Sequence, residues 1–424
     1  MNTEELRIAA AAYGTPTYIF DVREVETRIR LLRSLLPEGT GLCFAVKANP
    51  FLIPYVADMV DRLEVCSPGE YEICIQEQIA PEKIVVSGVN KTYESMKRIL
   101  SYSKGTGIYT IESEEHAKIL RTLAEKNHMQ LSVLIRLSSG NQFGVDAETF
   151  IRLAKEVQES PYLTLAGVHY YAGTQKRQSK LEKEMDTLAA FAGTFEAETG
   201  TRLPELEYGA GMKVSYFVND SEKDQRESEP EPQIQALAEK LRTCDAYGKK
   251  TIELGRFLVS MSGYYLTRVM DVKRTAQPGF VILDGGIHQI NYYGWMMGMK
   301  QPEIKVLAEK DGDDCILLEH GGADGKSECS LPENSDAGEM FHLCGSLCTV
   351  NDVLARDVTL HNPEKGDVIC FKRCGAYAAT EGMAMFLSRE LPQVLICRTD
   401  GKIEKLRDRV ETYPFHGGGN WNRM

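Results

Sequence analysis

At 424 residues the chain is too long for one small core and has the length of two domains. Its net charge of -12 argues against a nucleic-acid partner, which needs a basic excess, and no run approaches the roughly 18 apolar residues of a membrane span. Met1-Asn2-Thr3-Glu4-Glu5 is acidic and unlike a signal peptide, and 11 cysteines is an odd number, so reduced thiols in a cytoplasmic protein are expected. Cys344/Cys348 and Cys370/Cys374 lack the CxxC spacing of a zinc site, and no metal is expected.

Thr15 to Asp21 reads as a strand, and Val22 to Leu36 as a helix with Val25, Ile29, Leu32 and Leu36 on one face. Eight strand candidates follow: Leu42–Val46, Leu63–Cys66, Ile84–Ser87, Ile108–Ile111, Leu131–Leu137, Leu165–Tyr171, Leu206–Tyr208 and Thr251–Glu253. Most are short apolar runs, as expected of strands buried on both faces. Helical patterns such as Ser113–Glu125, Ala147–Gln158 and Gln233–Tyr247 lie between them. Eight such units in about 230 residues predict a (β/α)8 barrel over 22–258. An open doubly wound sheet would carry a glycine-rich loop after its first strand, and none is present. Asp220–Pro232, rich in charge and proline, reads as an exposed loop or lid.

Beyond Arg256 the texture changes. Tyr264–Lys273, Phe280–Leu283, Cys315–Leu318, Val368–Lys372 and Gln393–Arg398 read as strands, with turns at Pro278-Gly279, Asp311-Gly312 and Asp400-Gly401. They predict a C-terminal antiparallel β domain over 259–424, joined by 1–21. Gly417-Gly418-Gly419 reads as loose chain.

Catalytic groups of a barrel sit at the C-terminal ends of its strands. Those ends supply Lys47, Glu64 to Ser67, Ser87-Gly88, Arg136, His169 to Thr174, Gly209 to Gly211 and Glu253 to Arg256. Lys47 closes a buried strand, where desolvation can leave an amine nucleophilic. Gly209-Ala210-Gly211 and Gly255-Arg256 can offer N–H groups and a guanidinium to a phosphate. Amine, carboxylate and phosphate cradle on one barrel mouth are what pyridoxal phosphate (PLP) requires.

Several motifs occur in order: Phe44-Ala45-Val46-Lys47-Ala48-Asn49, Glu64-Val65-Cys66-Ser67-Pro68-Gly69-Glu70, Tyr208-Gly209-Ala210-Gly211, Glu253-Leu254-Gly255-Arg256, Cys348-Thr349-Val350-Asn351-Asp352 and Gly375-Ala376-Tyr377. On these the chain resembles, from Thr15 to about Val394, the fold-type III PLP decarboxylases of diaminopimelate, ornithine and arginine. The resemblance implies an alanine-racemase-like barrel with a β domain, in a homodimer with shared active sites. It implies that Lys47 carries PLP, Glu253 pairs with the pyridine nitrogen, and Arg136 lies near the ring's phenolic oxygen. Glu64, in the second motif, and Thr174, in the Gly-Thr-Gln turn, would belong to the same cofactor site. Gly209, Gly211, Gly255, Arg256 and Tyr377 would bind the phosphate. Cys348 would return a proton to Cα from the other subunit, with Asp352 near the substrate amine and Thr349 and His288 lining the substrate.

The pattern departs in three places. Tyr171 stands where the family stacks a histidine on PLP, with His169 two residues earlier. No arginine follows Asp284-Gly285-Gly286; the chain runs through Ile287-His288 to Tyr292–Met297. Thr349 replaces a glutamate after Cys348. A distal carboxylate and ammonium would therefore lack partners, and diaminopimelate is not the expected substrate. The Gly-Thr-Gln turn, Tyr171 and Asp-Gly-Gly-x-His resemble more a biosynthetic branch, which includes the decarboxylase of carrier-protein-bound glutamate in aminoglycoside assembly. An amino-acid racemase and a PLP-binding protein without turnover are the alternatives. Racemases place an arginine where Glu253 stands, and a protein without turnover should have lost Lys47 or Cys348.

Overall fold

The computed structural model describes residues 1–275, 277–292, 298–307 and 338–417. The chain divides into two compact units, Val25–Ser215 with Glu222–Val259, and Met1–Glu24 with Tyr216–Ser221 and Ser260–Met424.

After the N-terminal strand β1 (Thr17–Asp21), the first unit runs through β2 (Gly41–Ala45), β3 (Arg62–Val65), β4 (Ile84–Val86), β5 (Ile108–Ile111), β6 (Leu131–Arg136), β7 (Leu163–Tyr171), β8 (Glu205–Gly209) and β9 (Lys249–Leu254). These eight strands close as a parallel barrel in sequence order, β9 pairing back onto β2. Every residue of β2, β5 and β8 is buried; β2 and β5 are almost wholly apolar, as strands covered on both faces are, while β8 buries Glu205 and Glu207. The crossover helices begin where caps dictate. Ser67, Thr92, Ser113 and Asp146 each accept a backbone N–H three residues on, from Glu70, Ser95, His116 and Thr149. In the helix Ala147–Glu159, Phe150, Ile151, Ala154 and Val157 fall on one buried face, and the Phe150 ring meets Phe191 edge-on at 5.0 Å.

One glycine shapes β7. Gly167 has φ +152°, and a Cβ there would lie 2.0 Å from the Glu205 carbonyl oxygen. It lets β7 close on β8 at a shift in the β6–β7 register, beyond which His169 pairs with Glu207 and Tyr171 with Gly209. His169 and Tyr171 therefore share one face of the strand.

The stretch Asp220–Pro232 is not the loop or lid that its charge and prolines predict. It holds a helix, Glu222–Glu227, and the start of another, Pro230–Thr243. Pro230 occupies the first helical position, where a missing N–H costs nothing. Gln233 bonds the backbone of Lys213 on both sides, accepting from its N–H at 2.8 Å and donating to its carbonyl at 3.0 Å.

Among the described residues, the second unit is a nine-stranded sheet built from β1, β10 (Gly263–Lys273), β11 (Gly279–Leu283), β12 (Ile304–Leu307), β13 (Glu339–Cys344), β14 (Val353–Leu360), β15 (Val368–Lys372), β16 (Gln393–Cys397) and β17 (Ile403–Arg407). It is mixed, correcting the antiparallel expectation: β1 runs parallel to β16, and β11 parallel to β13. Tight turns enforce antiparallel pairing only between chain neighbours, and these pairs are remote in sequence. The helix Thr3–Tyr13, started by an Asn2–Glu5 capping box, packs Leu6, Ala9 and Ala10 against Ile19, Leu266, Cys370 and Leu395. The expected strand Cys315–Leu318, the turn Asp311-Gly312, Tyr293–Met297 and Gly418-Gly419 lie outside the described residues. Nine cysteines are described, and all are free thiols.

Candidate active site

Lys47 sits in a single 3-10 turn, Val46–Ala48, at the C-terminal end of β2. The side chain keeps about a third of its surface in solvent, so the amine is reachable. Its Nζ donates to Glu64 Oε2 at 2.7 Å and to Cys66 Sγ at 3.4 Å, and lies 3.8 Å from Glu253 Oε1. Both carboxylates are buried. Burial alone would raise the Glu253 pKa, but Lys47 and a bond from His169 hold it below the usual carboxylate range. That bond joins His169 Nε2 to Glu253 Oε2 at 2.9 Å. His169, which the sequence leaves between site support and core packing, is thus in direct contact with a site carboxylate.

Arg136 closes β6 and donates from Nη1 to Glu112 Oε2 at 3.0 Å, its guanidinium 4.7 Å from the Phe143 ring centroid. Lys91 approaches the other oxygen of Glu112 at 3.9 Å and donates to the Gly88 carbonyl at 2.6 Å. Burial pushes Lys91 down to about 8 against the pull of Glu112. Sequence reasoning missed both Lys91 and Glu112, yet Glu112 directly follows β5, the signal that singled out Lys47.

The glycine turn follows β8. A Cβ on Gly209 would lie 2.4 Å from the Tyr171 ring, and Gly211 takes φ +59°, where a Cβ would meet the Gly173 carbonyl oxygen at 2.1 Å. Half-buried Thr174 follows Gly173 in the facing loop. Lys176, also missed, grips the turn at both ends. Its backbone N–H donates to Gly211 O at 2.9 Å, and its Nζ to Gly209 O at 2.9 Å. The buried ammonium pairs with Glu184 at 2.7 Å and lies 5.6 Å and 5.1 Å from the Tyr171 and Tyr208 ring centroids. Gly255 and Arg256 follow β9, Arg256 opening a helical turn to Val259.

In the sheet unit, Cys348 is exposed and Thr349 half-buried. Asp352 is buried, and its two oxygens accept the N–H groups of Ile287 (2.8 Å) and Leu347 (2.7 Å). One carboxylate thus ties the Asp284–His288 turn to the segment carrying Cys348. His288 is buried with neither ring nitrogen hydrogen-bonded, and burial with the charge of Arg389 pushes it down to about 4. Tyr377 is half-buried at φ +64°.

The family model described as pyridoxal-dependent decarboxylase, pyridoxal binding domain, matches residues 22–260. The chain belongs to the pyridoxal-dependent decarboxylase family. Diaminopimelate decarboxylase of Pseudomonas aeruginosa is 27% identical over 392 residues, covering 87% of this chain and 84% of the relative. The L-glutamyl-[BtrI acyl-carrier protein] decarboxylase of Niallia circulans is 25% identical, covering 96% and 94%. The structure of Helicobacter pylori diaminopimelate decarboxylase complexed with L-lysine overlays with a TM-score of 0.77 at 22% identity, over 97% of this chain and 98% of that one. This last likeness bears on fold alone. No helix among the described residues is long and apolar enough to cross a membrane.

The barrel residues of this decarboxylase fit PLP. Lys47 offers a reachable amine, and Glu253 offers an ionised carboxylate whose Oε1 faces that amine. Gly209 and Gly211 leave open the space their missing side chains would fill. Glu253 Oε2 is met by His169, and a protonated pyridine nitrogen would be a partner for Oε1.

Proposed function

We propose that this chain decarboxylates an amino acid whose far end is conjugated or otherwise uncharged, such as a carrier-protein thioester. The observation that carries the reading is His288. Where a distal carboxylate would need a cation, the turn after Gly286 presents a buried imidazole held neutral, with two unmet nitrogens. A neutral imidazole donates one hydrogen bond and accepts one, which suits a carbonyl or amide better than an ion. The Niallia circulans relative, which acts on a carrier-bound glutamyl group, supports the same reading.

PLP supplies the electron sink that takes up the electron pair left at Cα when CO2 departs. The chain's residues do the rest. Lys47 would hold the cofactor through its amine. Glu253 would keep the proton on the pyridine nitrogen, Arg136 would lie near the phenolic oxygen, and Tyr171 would face the ring. Gly209, Gly211, Gly255, Arg256 and Tyr377 would hold the phosphate. The Cys348 thiol donates a proton to Cα, acting in the other subunit of a two-fold dimer. Mixing inactive Lys47→Ala and Cys348→Ala proteins tests that sharing: recovered activity supports it, and none despite demonstrated subunit exchange opposes it.

A second reading has one observation in its favour. Arg136, Lys213 and Arg268 are bonded to Glu112, Glu227 and the Gly366 carbonyl, but the charge of Arg389 reaches both His288 and Asp352. Arg389 could receive a distal carboxylate, and diaminopimelate would then fit. CO2 release from diaminopimelate, lysine, ornithine, glutamate and carrier-bound glutamate decides. A kcat/KM for diaminopimelate of about 10⁴ M⁻¹s⁻¹ or more, lost in Arg389→Ala, would favour the second reading.

A further inference from the structure

The glycine turn after β8 is bonded on one side only. Two of its carbonyls end on a single residue: the Gly209 oxygen accepts from Lys176 Nζ at 2.9 Å, and the Gly211 oxygen accepts from the Lys176 N–H at 2.9 Å. Both peptides are trans, so each C=O and the N–H that follows it point in opposite directions. The N–H groups of Ala210 and Met212 are therefore turned away from Lys176. Ala210 and Met212 are buried, and no group among the described residues accepts a hydrogen bond from either N–H. Buried backbone donors are rarely left unmet, and successive N–H groups in a turn make a concavity that takes an anion.

Lys176 is itself held in place. Glu184 Oε2, from the helix Gln178–Thr199, accepts from Lys176 Nζ at 2.7 Å and from the Tyr208 hydroxyl at 2.7 Å. The Tyr171 and Tyr208 rings face the same ammonium. Lys176 Cε lies 3.0 Å from the point that a Cβ on Gly211 would occupy, so the lysine stem packs directly against the turn. Lys176 and Glu184 neutralise each other, and the pair adds no net charge to draw an anion in. What it adds is direction: the ammonium fixes which way the Gly209–Ala210 peptide faces.

We propose that Lys176 is a positioning residue for the phosphate of the ligand, holding the Gly209 and Gly211 carbonyls to one side so that the Ala210 and Met212 N–H groups are aimed at the phosphate oxygens. This rests on the reading of Gly209 and Gly211 as the phosphate site.

The test compares PLP with pyridoxal, which lacks the phosphate, as ligands of the cofactor-free protein, with binding followed by absorbance. Lys176→Met keeps the stem and removes Nζ. It is made alone and together with Glu184→Gln, so that no buried carboxylate is left without its cation, and Glu184→Gln by itself is the control. Relative to that control, the Kd for PLP in the double variant should rise about tenfold or more, the scale of one hydrogen bond to a charged group, while the Kd for pyridoxal changes less than about twofold. Inorganic phosphate should compete with PLP in the wild type and lose about the same factor in the variant. Equal rises for PLP and pyridoxal would make Lys176 a general support of the fold and overturn the inference, as would a Kd for PLP that does not change. The wild type alone separates the premise. Equal affinity for PLP and pyridoxal there would sink the phosphate site and the inference with it, whereas discrimination that survives in the variant sinks only the role of Lys176.

Discussion

The two units carry their chemistry in opposite ways. On the barrel, the charged groups are already paired, and apart from part-exposed Lys47 they are buried: Lys47 with Glu64, Arg136 with Glu112, His169 with Glu253, Lys176 with Glu184. On the sheet unit, Cys348 stands exposed, and the buried polar groups behind it serve to hold turns, as Asp352 does. The difference teaches which errors each unit tolerates. A paired, desolvated constellation stabilises developing charge without reorganising, and losing one partner leaves the other uncompensated. A turn that presents a single side chain depends on backbone hydrogen bonds, and its failure is local.

The sharpest break of this contrast is Glu253→Ala. It removes the acceptor of His169 and a carboxylate 3.8 Å from Lys47 Nζ, and kcat should fall by about 10²–10³ in steady-state assays of CO2 release. A loss under tenfold would mean that the barrel charges are not preorganised for the reaction. Cys348→Ala should lower kcat by about 10²-fold, the scale of one proton donor, while the melting temperature stays within about 2 °C. A large stability loss would show that the thiol is structural. Asp352→Asn should cost about 1–3 kcal/mol in urea unfolding, because one of two N–H groups loses its acceptor. It should also make Cys348 react faster with a thiol reagent, because its loop is no longer pinned.

The smallest effect is a pH dependence of stability. Folding lowers the Lys91 pKa from its ordinary value near 10.5 to about 8, so above 8 the native protein sheds a proton that the unfolded chain retains. Stability should therefore rise with pH across roughly 8 to 10.5, and that gain should be lost as pH falls back through 8. Thermal melts of wild type and Lys91→Met across this range check it: the rise should be smaller in the variant. Equal slopes would show that Lys91 is not desolvated.

Much of the barrel was legible because buried parallel strands are apolar runs, and the eight expected strands match β2 to β9 within two residues at either end. Lys47 and Glu253 were legible for the same reason, as charges that interrupt such runs. Glu112 follows β5 directly and carried the same strand-end signal, unread; Lys91 and Lys176 lie five residues beyond β4 and β7, and pairing across elements leaves no periodic trace. In the sheet unit, β14 was hidden by Arg356-Asp357 in its middle, where Asp357 takes φ +53° and the pairing register slips. The Asn2-x-x-Glu5 cap marked the first helix in plain sight, but Leu6, Ala9 and Ala10 make too short an apolar face to stand out. The parallel pairing of β1 with β16 joins the two ends of the chain, and strand patterning carries no such information.

The central claim is that Lys47 is the amine that carries the cofactor. Borohydride reduction of the purified holoenzyme, followed by peptide mass mapping, tests it most directly. The expected result is a reduced pyridoxyl label on Lys47 at close to one per chain, with none in Lys47→Ala. A label on another lysine in the wild type, or a Lys47→Ala protein that still binds PLP covalently, would contradict it.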